Sequence, residues 1–336
     1  MRRQPASMAT VFRRAMAAAA GCSVLLPSLL LAQQPGVTPA QLAQEAQLRE
    51  QRNRLPDTPG SGRFPALKEE TPSLPEHVVY RPAQLASLGS TKLGVYLFGN
   101  GACVGDGASS RLHLLEIASH GYLAIAPGRI LNGPGASGPP PPVPAGQSPA
   151  MNVRSSYKDL LSAIDWAVAQ NADPRSPYYR RIDPTAIAVS GYSCGGAQAM
   201  RVAADPRVKT LVMMNSGLFN DGASAGIPEM DVGKSALKLL HTPVLYLLGG
   251  NTDVAFVNAN DDFARIGQVP VFYANLLGVG HGGTYWEPNG GKAAKAVVAW
   301  LDWQLRGDAR AAHQFVGKDC ALCTDKAWSV QKKRID

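Results

Sequence analysis

Six short runs of almost wholly apolar residues, separated by stretches of helical character, limit the chain to few folds. Leu93–Phe98, Tyr122–Ala126, Ala186–Ser190, Val208–Met214, Pro243–Leu248 and Pro270–Leu277 are continuous rather than alternating in hydropathy. A strand with one wetted face alternates; a strand buried on both faces does not. Between them lie amphipathic or small-residue segments: Arg111–Ser119, Tyr157–Ala169 with Leu160, Leu161, Ile164, Ala167 and Val168 on one face, Gly196–Ala204, and Gly291–Leu305. Strands alternating with helices predict an α/β architecture, a mostly parallel sheet covered by helices on both sides. With 45% hydrophobic and 17% charged residues, the chain has the means to bury such a core.

The first 32 residues stand apart. Arg2, Arg3, Arg13 and Arg14 precede an uncharged run from Ala15 to Ala32. That is the profile of a signal peptide cleaved after Ala32, and it predicts a secreted or periplasmic product. The run is 18 residues long, at the lower limit for a membrane span, so an uncleaved anchor is the alternative. Removing four arginines and no acid takes the formal net charge from +8 to +4. A mild positive balance without a basic run gives no reason to expect a nucleic-acid partner, and no later segment has the length and apolarity of a membrane span. Residues 33–62 read as a surface helix (Thr38–Arg54) and a Pro/Gly-rich linker, and 63–336 as one α/β domain. Residues 131–150, with four consecutive prolines at Pro139–Pro142, read as a loop overhanging a site.

Gly191-Tyr-Ser193-Cys-Gly195 follows a strand of small apolar residues and opens a helix of small residues. In that context the pattern predicts a nucleophile elbow, with the Ser193 hydroxyl raised above the sheet at a helix start. A serine hydroxyl needs a base. Of six histidines, His281 follows the last apolar strand in Gly278-Val-Gly-His-Gly-Gly283, where the chain order Ser, acid, His of an α/β-hydrolase fold demands it. The acid belongs after the strand between them, which selects Asp253 over Asp261 and Asp262, read as helix-capping acids.

The amide of Cys194 is one expected oxyanion donor. The second comes from Gly99-Asn-Gly-Ala-Cys103, with Ala102 favoured and Gly101 the rival. Cys103 and Cys194 each end an oxyanion segment, so they are expected to form a disulfide, with Cys320–Cys323 as a separate small ring; two free buried thiols are the bland alternative. Lacking a second C-x-x-C, Cys320-Ala-Leu-Cys323 does not make a zinc site. Asn100, Phe219, Met230 and Trp286 are candidate substrate contacts, with residues 216–236 shaping a pocket.

Gly99-Asn-Gly-Ala-Cys103, Glu116-Ile-Ala-Ser-His-Gly121, Gly191-Tyr-Ser-Cys-Gly-Gly196, Gly280-His-Gly-Gly-Thr-Tyr285 and Pro288-Asn-Gly-Gly-Lys292 together resemble a group of secreted bacterial and fungal α/β hydrolases related to dienelactone hydrolases and cutinase-like polyester hydrolases. The resemblance runs from about Gly60 to the C-terminus. It implies hydrolysis of carboxylic esters, on small molecules or polymers, by Ser193, Asp253, His281 and the two oxyanion loops, without metal or organic cofactor. The chain departs from dienelactone hydrolases in having Ser rather than Cys as the nucleophile. It departs from polyester hydrolases in having no aromatic in the first oxyanion loop. Peptidase or amidase action on the same triad, and a non-catalytic binding protein, are the competing classes.

Overall fold

A computed structural model describes residues 47, 48, 50–138, 153–223 and 228–336. The expected leader, most of the Thr38–Arg54 helix and the proline run at Pro139–Pro142 lie outside the described residues; residues 50–54 are helical.

Among the described residues, nine strands form one sheet in the order β1-β2-β4-β3-β5-β6-β7-β8-β9. They are β1 (Ala66–Thr71), β2 (Leu74–Pro82), β3 (Leu93–Gly99), β4 (Tyr122–Pro127), β5 (Ile182–Tyr192), β6 (Val208–Met214), β7 (Val244–Leu248), β8 (Val271–Leu276) and β9 (Trp328–Lys333). The six central strands, β4-β3-β5-β6-β7-β8, run parallel. The β1–β2 hairpin and β9 flank them antiparallel. The expected mostly parallel sheet is therefore present.

Both faces are apolar, as continuous strands require. In β3, Val95 and Leu97 point to one face and Tyr96 and Phe98 to the other. The first face packs against α2 (Tyr157–Ala172), α3 (Cys194–Val202) and α4 (Phe256–Arg265). The second packs against α1 (Arg111–Ser119) and α5 (Gly291–Arg306). Ser156 starts α2 with a capping box shared with Asp159. Trp300 of α5 is fully buried, and its indole N–H donates to Thr210 at 2.7 Å, so the large ring brings no unpaired donor into the core.

The compact unit begins at Gln47, earlier than the expected boundary at residue 63. The cause is local: buried Arg111 donates to the carbonyls of Arg52 and Leu55, and Glu116 accepts from the backbone and hydroxyl of Ser61. What reads as a Pro/Gly linker is held to α1 by hydrogen bonds.

Strand order positions the site. The chain moves outward from β3 to β4, then returns across β3 to β5 and continues the other way. Loops leaving the carboxyl ends of β3 and β5 therefore diverge, and the crevice between them is where open α/β sheets bind ligands. Gly99 at the end of β3 pairs with Gly191 near the end of β5. The Gly99–Cys103 turn and Ser193 leave the sheet from that point.

Candidate active site

Ser193 sits between β5 and α3 at φ 53°, ψ −118°, a backbone conformation a residue with a side chain rarely adopts. The strain is held from both sides: the Ser193 N–H donates to the Met214 carbonyl at 3.1 Å, and the Ser193 carbonyl accepts from the Ser216 hydroxyl at 2.8 Å. The sharp turn lies in the serine itself. Gly191 and Gly195 have a different task from the one their motif suggests. A Cβ on Gly191 would lie 2.0 Å from the Gly195 carbonyl oxygen, and one on Gly195 would lie 2.0 Å from that of Gly99. Three backbones meet there at a distance only glycine permits, which draws the β3 turn onto the first turn of α3.

His281 follows β8 and faces Ser193 with Nε2 at 3.0 Å from Oγ. Its Nδ1 lies 2.7 Å from Oδ1 of Asp253, which follows β7. Nδ1 is therefore the protonated nitrogen and donates to the carboxylate, leaving Nε2 to accept from the hydroxyl. Asp253 is buried, and each of its oxygens takes a second set of donors: Oδ1 the Ala255 N–H, Oδ2 the Gly249 N–H and the Asn215 amide. Burial pushes this carboxyl up, but the bonds from His281, Ala255, Gly249 and Asn215 together outweigh it and hold its pKa below the usual range. Asp253 thus stays ionised at neutral pH. The three residues come together across 88 positions of chain, in the geometry that base-assisted activation of a hydroxyl requires.

The His281 turn, which reads as a flexible glycine loop, is pinned at three points. Tyr192 donates its hydroxyl to the His281 carbonyl at 3.0 Å, Asn215 donates to the Gly280 carbonyl at 3.2 Å, and the Gly280 N–H donates to Gly249 at 2.9 Å. Burial, with the Asp253 charge adding to it, pushes the Tyr192 hydroxyl up to about 12, so it remains a donor.

Cys103 and Cys194 form a disulfide, with Cα atoms 5.4 Å apart, and Cys320 and Cys323 form the second. The first bridge joins the residue after Ala102 to the residue after Ser193. Ala102 and Cys103 take the left-handed conformations of this turn (φ 50° and 48°), where glycine is expected. Gly101 instead makes room for Tyr192: a Cβ there would lie 2.3 Å from the ring. The amides of Gly101, Ala102 and Cys194 donate to no other described group.

The expected substrate contacts fare differently. Asn100 is fully buried, donating to the Val104 and Pro127 carbonyls at 2.9 and 2.7 Å. It braces the turn from within and is not a substrate contact. Met230 is partly buried and packs against the apolar core beneath α2–α4. Phe219 is half-buried and bridges to Gly233 through the backbone; residues 224–227 of the 216–236 segment lie outside the described residues. Trp286 borders the His281 turn: its ring lies 3.9 Å from the point where a Cβ on Gly282 would sit, its indole donates to Ser109, and the Arg52 guanidinium stacks 3.5 Å over it.

The rival acids do not reach His281. Asp261 and Asp262 lie in the second half of α4 rather than capping its start, because the helix begins at Phe256. Asp261 bonds Arg265 and pairs with Lys234. Asp262 is buried, accepting from Lys234 at 2.6 Å, Leu218 at 2.9 Å and Tyr246 at 3.2 Å.

Asn215, Tyr192 and Tyr285 escape sequence reasoning. Asn215 and Tyr192 do carry a weak signal, since each adjoins a strand end on the edge where Ser193 lies. Among the described residues no His, Cys, Asp and Glu cluster could hold a metal ion, and no helix is long and apolar enough to cross a membrane. No family profile matches the chain, and a comparison with curated proteins found no match.

Proposed function

We propose that this chain is a serine hydrolase of the α/β-hydrolase type that cleaves carboxylic esters through an acyl-enzyme. The observation carrying the reading is the 3.0 Å approach of His281 Nε2 to Oγ of a serine held at φ 53° between a strand and a helix. Ser193 Oγ attacks the ester carbonyl carbon while His281 Nε2 takes its proton. The carbonyl π electrons move onto the oxygen, where the amides of Cys194 and Ala102 meet the developing charge. Collapse breaks the bond to the alcohol, which leaves with the proton from His281. A water then attacks the acyl-Ser193, giving a proton to His281; collapse breaks the bond to Oγ, His281 returns the proton to Ser193, and the carboxylic acid departs. Asp253 holds the ring in its tautomer and stabilises the imidazolium formed in each half-reaction.

The two disulfides support an oxidising compartment for the mature chain, in keeping with export by the N-terminal segment. The test is turnover of p-nitrophenyl acetate, butyrate and a longer-chain ester, with a peptide p-nitroanilide as the amidase control. Wild type is expected to hydrolyse the esters, and Ser193→Ala to lose activity by at least about a thousandfold. Ester turnover retained in Ser193→Ala removes the assignment.

A further inference from the structure

We propose that Asn215, oriented by Tyr285, is a positioning residue that aims the Asp253 carboxylate at His281. The inference rests on the ester-hydrolase reading above and extends its working parts from three side chains to five. Asn215 follows β6, the strand between those that deliver Ser193 and Asp253, and adopts the left-handed conformation at φ 44°. That conformation, together with the bond from its N–H to the Leu247 carbonyl at 2.7 Å, places the side chain between the Asp253 and His281 loops.

The amide has its orientation dictated by its partners. Its nitrogen faces two pure acceptors, Oδ2 of Asp253 at 2.7 Å and the Gly280 carbonyl at 3.2 Å, and its oxygen receives the Tyr285 hydroxyl at 2.7 Å. The flipped amide sets oxygen against oxygen at two sites and leaves Tyr285 facing an NH2 group. Tyr285 is itself fixed, fully buried among the rings of Phe98, His113, Tyr192 and Trp286. Its hydroxyl is held protonated by burial, with Tyr192, Tyr96 and Asp253 adding to the effect.

Two consequences follow for the reaction. The bond to Oδ2, with that from Gly249, fixes the rotation of the Asp253 carboxylate, so Oδ1 is the oxygen offered to His281 Nδ1. The bond to Gly280 holds the residue preceding His281, so one side chain sets both ends of the Asp253–His281 contact. Neither bond touches the substrate, and their loss is read in kcat rather than KM.

Asn215→Asp is the discriminating variant. It keeps the volume and the acceptor for Tyr285 but replaces the donor with an oxygen facing the carboxylate. We expect kcat for p-nitrophenyl butyrate to fall about ten- to a hundredfold in both Asn215→Asp and Asn215→Ala, with KM within about twofold of wild type. Tyr285→Phe is expected to lose a few-fold in kcat. Circular dichroism and thermal melting confirm that each variant is folded at the assay temperature. A role in packing alone predicts instead that Asn215→Asp stays active while Asn215→Ala is impaired. Wild-type kcat in folded Asn215→Asp, or in folded Asn215→Ala should the Asp variant melt, overturns the proposal. Ser193→Ala in the same series separates the two ideas: turnover surviving there defeats the hydrolase reading, whereas an unimpaired Asn215 variant beside a dead Ser193→Ala defeats only the positioning role.

Discussion

Removing the Cys103–Cys194 bridge as Cys103→Ala/Cys194→Ala takes out one covalent bond but leaves in the chain both amides proposed as oxyanion donors. The bridge closes a loop with a sequence separation of 91, for which chain entropy gives about 4.6 kcal/mol of stabilisation. The same relation gives only about 1.6 kcal/mol for Cys320–Cys323, which spans three positions. A domain of this size loses roughly 2–4 °C of Tm per kcal/mol, so the first double variant should melt roughly 9–18 °C lower and the second only a few degrees lower. Stability is half of the expectation. The bridge also ties the Ala102 turn, with its two left-handed residues, to the start of α3. A missing oxyanion donor costs about a hundred- to a thousandfold in kcat, and a loosened one a part of that. A fall of at least about tenfold in kcat is therefore expected for the first variant, with KM little changed. The assay is p-nitrophenyl butyrate turnover at 20 °C, alongside calorimetric melting that checks that each variant is folded at that temperature. Wild-type kcat in the untethered protein refutes the argument that the bridge holds the donors, whatever happens to Tm; equal Tm losses in the two variants refute the loop-entropy account.

Other outcomes follow from the same structure. Asp253→Asn cannot satisfy its surroundings either way round: an amide NH2 faces the Gly249 and Asn215 donors, or it faces His281 Nδ1 and forces the proton onto Nε2. A loss of about 10⁴ in kcat is expected in a protein that melts lower but is still folded at the assay temperature, and activity within tenfold of wild type removes Asp253 from its role. Burial, opposed by Lys234 and by the Leu218 and Tyr246 donors, pushes Asp262 up to about 6. The folded state then binds this proton where the unfolded chain has released it, so stability falls as pH rises from about 4 to 6. Urea midpoints across that range should show the decline in wild type and a flatter profile in Asp262→Asn; parallel profiles would contradict it. Lys234→Met leaves the buried Asp262 carboxylate without its cation, which costs about 3–5 kcal/mol in urea unfolding at pH 8.

The strands that carry the site were legible because each is buried on both faces and therefore written in continuous apolar residues. The edge strands were not. β1, Ala-Leu-Lys-Glu-Glu-Thr, and β9, Trp-Ser-Val-Gln-Lys-Lys, are polar because an edge must resist pairing with other chains, and their extended form comes from the neighbour they join. In β9, Lys333 reaches the carbonyls of Ala264 and Ile266 at the end of α4, a contact no local pattern announces. Within the site, Ser193, Asp253 and His281 emerge from chain order because each must leave the sheet at one edge. Asn215 does not, since an asparagine after a strand reads equally well as a turn. Asn100 errs in the other direction: a polar residue in a glycine loop suggests a surface contact, whereas this one satisfies carbonyls that the buried turn leaves over.

The meeting of Gly99, Gly191 and Gly195 has a bearing on how such a protein can change. Because main chain rests directly on main chain there, no substitution adjusts the gap gradually; any added carbon pries the elbow from the neighbouring turn. The half-buried side chains of Phe219 and Trp286, on neighbouring loops, face no such main-chain bar. Variation, natural or in the laboratory, is thereby channelled to side chains around this contact, while the approach of Ser193 to His281 keeps its spacing.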